Sequence, residues 1–206
     1  MEKEVAKKLI SVCESLTQML EEALKRYPHL TEESIKEAEA LKKEVERHAS
    51  ELTGYLVSKS STEERGRDWG KPFLAIASNF DRIGFNIDGV LDRLKRMVHE
   101  DIYFSDRGIR EVSDVARETI DLLKNLPDLI TTQNRLLAEQ IKEKGKALFR
   151  TIDIFSEEHE QRLIEGVCMP KSAPIYLGLL ESFKAMTFHV LEISERVVKL
   201  KDPSEP

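Results

Sequence analysis

The feature that constrains this chain most is a three-to-four spacing of apolar residues that returns six times and never gives way to alternation. Val5, Leu9, Val12, Leu16, Met19 and Ala23 form the first stripe, and Ile35, Ala38, Leu41, Val45, Ala49, Leu52 and Leu56 form the second. That period buries one side of an α-helix, whereas a half-buried strand would alternate with period two. Aromatics make up 6 % of the 206 residues and charged residues 34 %, a balance suited to long solvated helices. The expected fold class is all-α.

Six helices follow from the stripes and their punctuation. Pro28 stops the first. Thr31 caps the second, because its hydroxyl can accept from free N–H groups while Glu32 and Glu33 favour the positive helix end. The polar stretch Ser58–Lys71 reads as a loop. A third helix runs from Pro72, a residue tolerated in a first turn, to about His99. Asp106 caps a fourth, which is interrupted near Pro127, and a fifth runs from about Thr132 to Gly166. A sixth, entered between Pro170 and Pro174, spans about Ala173 to Lys201, and residues 202–206 are expected to fray.

One ungapped shift of about half the chain lays three helices on the other three. Leu9 falls on Val112, Val45 on Leu148 and Leu52 on Phe155, with Leu41 on Lys144 as a mismatch. Phe80, Ile83, Phe85, Val90 and Leu94 meet Phe183, Met186, Phe188, Ile193 and Val197. A single offset serving all three pairs reads as an internal duplication. The expected architecture is two tandem three-helix bundles, residues 1–103 and 104–206, packed as one domain.

Several functions are excluded on chemical grounds. A net charge of -6 is wrong for a general nucleic-acid surface, and Arg93, Lys95 and Arg96 read as helix-surface charges. Cys13 and Cys168 have no ligand spacing and suit a reducing compartment. Glu2 and Glu4 stand where a secretion signal needs apolar residues. The longest uncharged runs, Pro72–Phe80 and Ser172–Leu180, are too short to span a membrane, so the expected location is cytoplasmic. A di-metal bundle needs Glu-x-x-His, yet the residues three before His29, His48, His99, His159 and His189 are Arg26, Val45, Arg96, Ser156 and Met186. His48 and His189 read as surface or boundary residues. No phosphate loop, His-Glu-x-x-His or Gly-x-Ser-x-Gly is present, so no catalytic residue and no cofactor is assigned.

Two segments carry a family resemblance. NFDRIGFNIDGVLDRLKR (Asn79–Arg96) and IYLGLLESFKAMTFHVLEISERVV (Ile175–Val198) resemble the third and sixth helices of PhoU-like phosphate-transport regulators, and HEQRLIEGVCMPKSAPIYLGLLES (His159–Ser182) is similar to the approach to the sixth. The resemblance implies a non-enzymatic modulator of phosphate uptake or phosphate signalling. Its partner would be a phosphate transporter or the transporter's regulator, and the chain itself would often be a homo-oligomer. It also implies a metal cluster held by a Glu/Asp-x-x-x-Asp motif in each repeat. Here the first motif position reads Asp81 and Phe85, and the second Lys184 and Phe188. Asp81 is the only acid kept, so no metal site is assigned. Asp88 and Asp92 repeat the acid spacing further along, which leaves a shifted first-repeat site as an alternative. An adaptor bundle serving another system is a second alternative.

At about 100° per residue, Phe80, Ile83, Ile87, Val90 and Leu94 define the buried stripe of the third helix, and Phe85 points away from it. The outer face of the sixth helix carries Leu177, Leu180, Phe188 and Leu191. A helix apolar on two faces is buried on both, here between the two bundles, or offers one face to a partner. Phe85, Leu177, Leu180, Phe188 and Leu191 are the candidate interaction surface.

Overall fold

The computed structural model describes residues 1–62 and 66–200 and contains no strand among them. The helices are α1 (Lys3–Leu24), α2 (Glu32–Ala40), α3 (Lys42–Thr62), α4 (Gly66–His99), α5 (Asp106–Thr132), α6 (Arg135–Ile164) and α7 (Ala173–Lys199). The expected second helix is therefore two, α2 and α3, meeting at Leu41. Leu41 keeps a right-handed helical backbone, but its N–H turns to the carbonyls of Ala38 and Glu39. Lys144 stands at this place in the other half, and there α6 runs through unbroken. The expected fraying of 202–206 and the helix end at Lys201 lie outside the described residues.

Local chemistry sets most boundaries. The Thr31 hydroxyl accepts from Ser34 N–H while the Ser34 hydroxyl accepts from Thr31 N–H, closing both donors of the α2 start. At α5 the cap is Ser105, which accepts from Gly108 N–H at 3.3 Å, so Asp106 is the first helical residue and not the cap. Gly166 takes a left-handed φ of 71° after α6, and Val167 N–H reaches back to the Arg162 carbonyl at 2.9 Å. That closure suits glycine, which has no side chain to strain.

Two prolines depart from expectation. Helix α4 begins at Gly66, inside the expected loop, and carries Pro72 in its interior. Helix α5 runs straight through Pro127. Proline there removes the N–H that would bond the Leu123 carbonyl. The thiol of Cys13 on α1 donates to that carbonyl instead, at 3.5 Å. A neighbouring helix thus replaces the lost partner.

Lys3 and Asp106, the starts of α1 and α5, stand 103 positions apart, as do Glu32 and Arg135, the starts of α2 and α6. Helices α1, α4, α5 and α7 pack as a closed four-helix centre, with α2 and α3 flanking α1 and α4, and α6 flanking α5 and α7. Helices α4 and α7 run antiparallel, since Asn79 meets His189 while Arg93 meets Ser182. Arg93 is no surface charge here. It donates to the Gly89 carbonyl at 2.6 Å and lies across Gly178, where an added Cβ would stand 2.2 Å from its Nε. His189 is buried, its Nδ1 2.9 Å from Asn79 Oδ1.

The core is one continuous cluster containing Leu9, Leu16, Phe80, Ile83, Ile87, Val90, Leu94, Phe183 and Ile193. At about 25 cal/mol per Å² of apolar area, each large side chain contributes roughly 1.5–3 kcal/mol, and that burial holds the helices together.

Candidate functional site

The outer faces of α4 and α7 place the expected interaction residues differently. Phe85 is 78 % exposed and Phe188 50 %. Leu177 and Leu191 are half-buried against the core. Leu180 is wholly buried and leaves the candidate surface. Helix α7 touches α4, α5 and α6, so its exposed strip is narrow: Pro174, Glu181, Phe188 and Glu195, one residue in seven, before the terminal Lys199. Leu180 sits one position off that strip and turns inward.

Around Phe85 the α4 face borders a cleft of about 250 Å³ between α1, α3 and α4. Its lining includes Leu16 and Met19 from α1, Val45 and Ala49 from α3, and Phe80 and Gly84 from α4. Asp81, Asp88, Glu46 and Lys42 stand at its edge. Lys42 Nζ pairs with Asp88 at 2.6 Å, and a second hollow of about 350 Å³ continues past Phe85 to Glu39 and Asp92. The apolar surroundings of Asp81 push its carboxyl above the usual range.

The other half closes the same place. Lys184, where Asp81 stands in the first half, pairs with Asp153 of α6 at 2.5 Å. Gly145 and Leu191 occupy the positions of Lys42 and Asp88. Leu191 lies so close to α6 that a Cβ on Gly145 would sit 2.7 Å from its Cδ2. Thr187, fully buried, replaces Gly84.

Neither face fits a metal cluster. Asp88 is neutralised by Lys42, Lys184 is a cation, and Phe85 and Phe188 offer no donor atoms. A divalent ion needs several oxygen or nitrogen ligands. Among the described residues no three His, Cys, Asp or Glu side chains gather to hold one.

The fold itself has a solved counterpart. The phosphate transport system regulatory protein PhoU from Streptococcus pneumoniae superposes with a TM-score of 0.82, over 98 % of this chain and 95 % of that one, at 12 % sequence identity. The fold is PhoU-like. No family model matches the sequence, and no curated protein matches it. The PhoU-like fold therefore stands on three-dimensional similarity, and the resemblance of the third and sixth helices agrees with it. No helix of the described residues is long and apolar enough to cross a membrane.

One buried cluster escaped the sequence reading. Glu111 on α5, 5 % exposed, accepts two hydrogen bonds from Arg162 of α6, at 3.1 and 2.8 Å. It accepts others from Arg107, at 2.7 Å, and from the Tyr176 hydroxyl of α7. Burial alone would raise its carboxyl, but the bonds from Arg162, Tyr176 and Arg107 outweigh that and hold it below the usual range. His159 stacks on Tyr176 with ring centroids 4.2 Å apart, and desolvation keeps its imidazole below the ordinary value. The signal was present: Glu111 stands on the apolar stripe of α5 beside Val112, and an acid there must be paired when buried. What sequence could not show is that α6 and α7 bring the partners.

Proposed function

We propose that this chain is a non-enzymatic regulator or accessory of phosphate transport, acting by binding a protein partner through the exposed face around Phe85 and Phe188. The observation that carries this reading is the superposition over nearly the whole chain on a protein whose name states that role. It is joined by two large aromatics left in solvent at matched positions of α4 and α7. Exposed aromatics on otherwise charged helices are a usual mark of protein contact. The same reading takes residues 1–103 and 104–206 as two copies of one unit, places the chain in the cytoplasm and expects a homo-oligomer.

The test is genetic and quantitative. Deleting the gene should leave phosphate uptake unresponsive to external phosphate. Restoring the wild-type chain should return the response, while Phe85→Asp with Phe188→Asp should not, despite an unchanged thermal melt. Uptake that responds normally without the gene refutes the phosphate reading. A second reading, an adaptor bundle for another system, is favoured by the loss of acids at Phe85, Lys184 and Phe188. It gains if the double variant changes molecular mass in light scattering while phosphate uptake stays indifferent to the gene.

A further inference from the structure

At the cleft beside Phe85 the two halves differ, and the difference has a chemical direction. Its floor is apolar, built by Leu16, Met19, Val45, Ala49 and Phe80. Gly84 leaves room above Leu16, whose Cδ2 would lie only 3.3 Å from an added Cβ. The rim is acidic. Glu39, Glu46, Asp81, Asp88 and Asp92 surround the two hollows, against Lys42 and Lys95. Lys42 is committed to Asp88 and Lys95 to Glu39. Asp81 is exposed at the lip and, among the described residues, makes no hydrogen bond or ion pair. An exposed, unpaired carboxylate at the lip of an apolar cleft is free to meet a partner's cation.

We infer that the α1–α3–α4 cleft receives a cationic amphipathic segment of a protein partner, one large apolar side chain entering over Gly84 and a Lys or Arg pairing with Asp81. The inference rests on the protein-binding reading above and names the partner's chemistry. Nucleic acid is repelled by the acidic rim, and a bare metal ion finds too few free donors. Charge complementarity selects the basic segment and the apolar floor holds it. The second half offers no equivalent seat, because Lys184 is paired with Asp153, Thr187 replaces Gly84 and Leu191 packs on Gly145. The stoichiometry is one segment per chain.

The test uses the full chain and fluorescently labelled peptides. A Lys/Leu amphipathic peptide is compared with a Glu/Leu peptide of the same pattern by anisotropy, at low and high salt. The expected result is saturable one-to-one binding of the Lys/Leu peptide, weakened by salt, and no binding of the Glu/Leu peptide. Asp81→Lys should lower affinity about tenfold or more, since like charges then face each other. Asp128→Lys, an equal change of net charge on the exposed side of α5, should leave it within about twofold of wild type. Equal binding of the two peptides, or equal effects of the two substitutions, overturns the inference. If that happens while Phe85→Asp with Phe188→Asp still abolishes the phosphate response, the protein-binding reading stands and only the assignment to this cleft falls.

Discussion

Glu111→Ala is the substitution whose effect the structure sets most firmly. In the native chain the carboxylate is met by Arg162 at 2.8 and 3.1 Å, with side-chain exposures of 6 % for Glu111 and 12 % for Arg162. The Arg107 contact adds little, because its side chain is 49 % exposed and water screens it. Removing the carboxylate leaves the Arg162 guanidinium buried without its counter-charge and strips the Tyr176 hydroxyl of its acceptor. Breaking one side of a buried pair costs about 3–5 kcal/mol, a large part of a typical ~5–15 kcal/mol stability. In a chain of this size each kcal/mol moves the melting temperature by about 2–4 °C. Glu111→Ala should therefore melt roughly 6–20 °C lower by scanning calorimetry. The pH dependence has a definite sign. A carboxyl held below its unfolded value, about 4.3, adds stability above that value and loses it as pH falls through the lower folded value. The stability gap between wild type and Glu111→Gln should shrink as pH falls below about 4.3. A melting point for Glu111→Ala within about 2 °C of wild type, or a gap that does not change with pH, would refute the assignment of this pair.

Four further outcomes are expected. Gly54→Ala, where an added Cβ meets nothing within 4 Å, should gain about 0.5–1 kcal/mol in urea denaturation through helix propensity. Gly178→Ala should lose stability, because its Cβ would stand 2.2 Å from Arg93 Nε. Ellman's reagent should modify one thiol of the folded chain, Cys168. Cys13 should react only on unfolding, because it is fully buried and desolvation pushes its thiol up to about 12. Last, Cys13→Ala should cost more in the native sequence than in a Pro127→Ala background, with a coupling of about 0.5–1.5 kcal/mol, since only with Pro127 does the Leu123 carbonyl depend on the thiol. Additive effects would place that carbonyl's partner elsewhere.

Helix identity and the buried stripes were legible in the residues alone, because the period of apolar side chains reports one helix at a time. Even the charge-reversed pair Glu4–Lys8 and Arg107–Glu111, at matched places of α1 and α5, can be read along a single helix. The sequence also placed Phe85 and Phe188 off the buried stripe. It misjudged wherever a neighbouring helix decides. Pro127 looks like a break until Cys13 of α1 supplies the missing donor. Leu180 looks like surface until α4, α5 and α6 surround α7. Arg93 looks solvated until Gly178 makes room for it. The open cleft in one half and the filled one in the other likewise depend on how closely helices approach, through Gly84 and Gly145. Periodicity carries no such distances. A single helix specifies which of its sides is apolar, and only packing decides how many of its sides are covered and what charge is left at the edge.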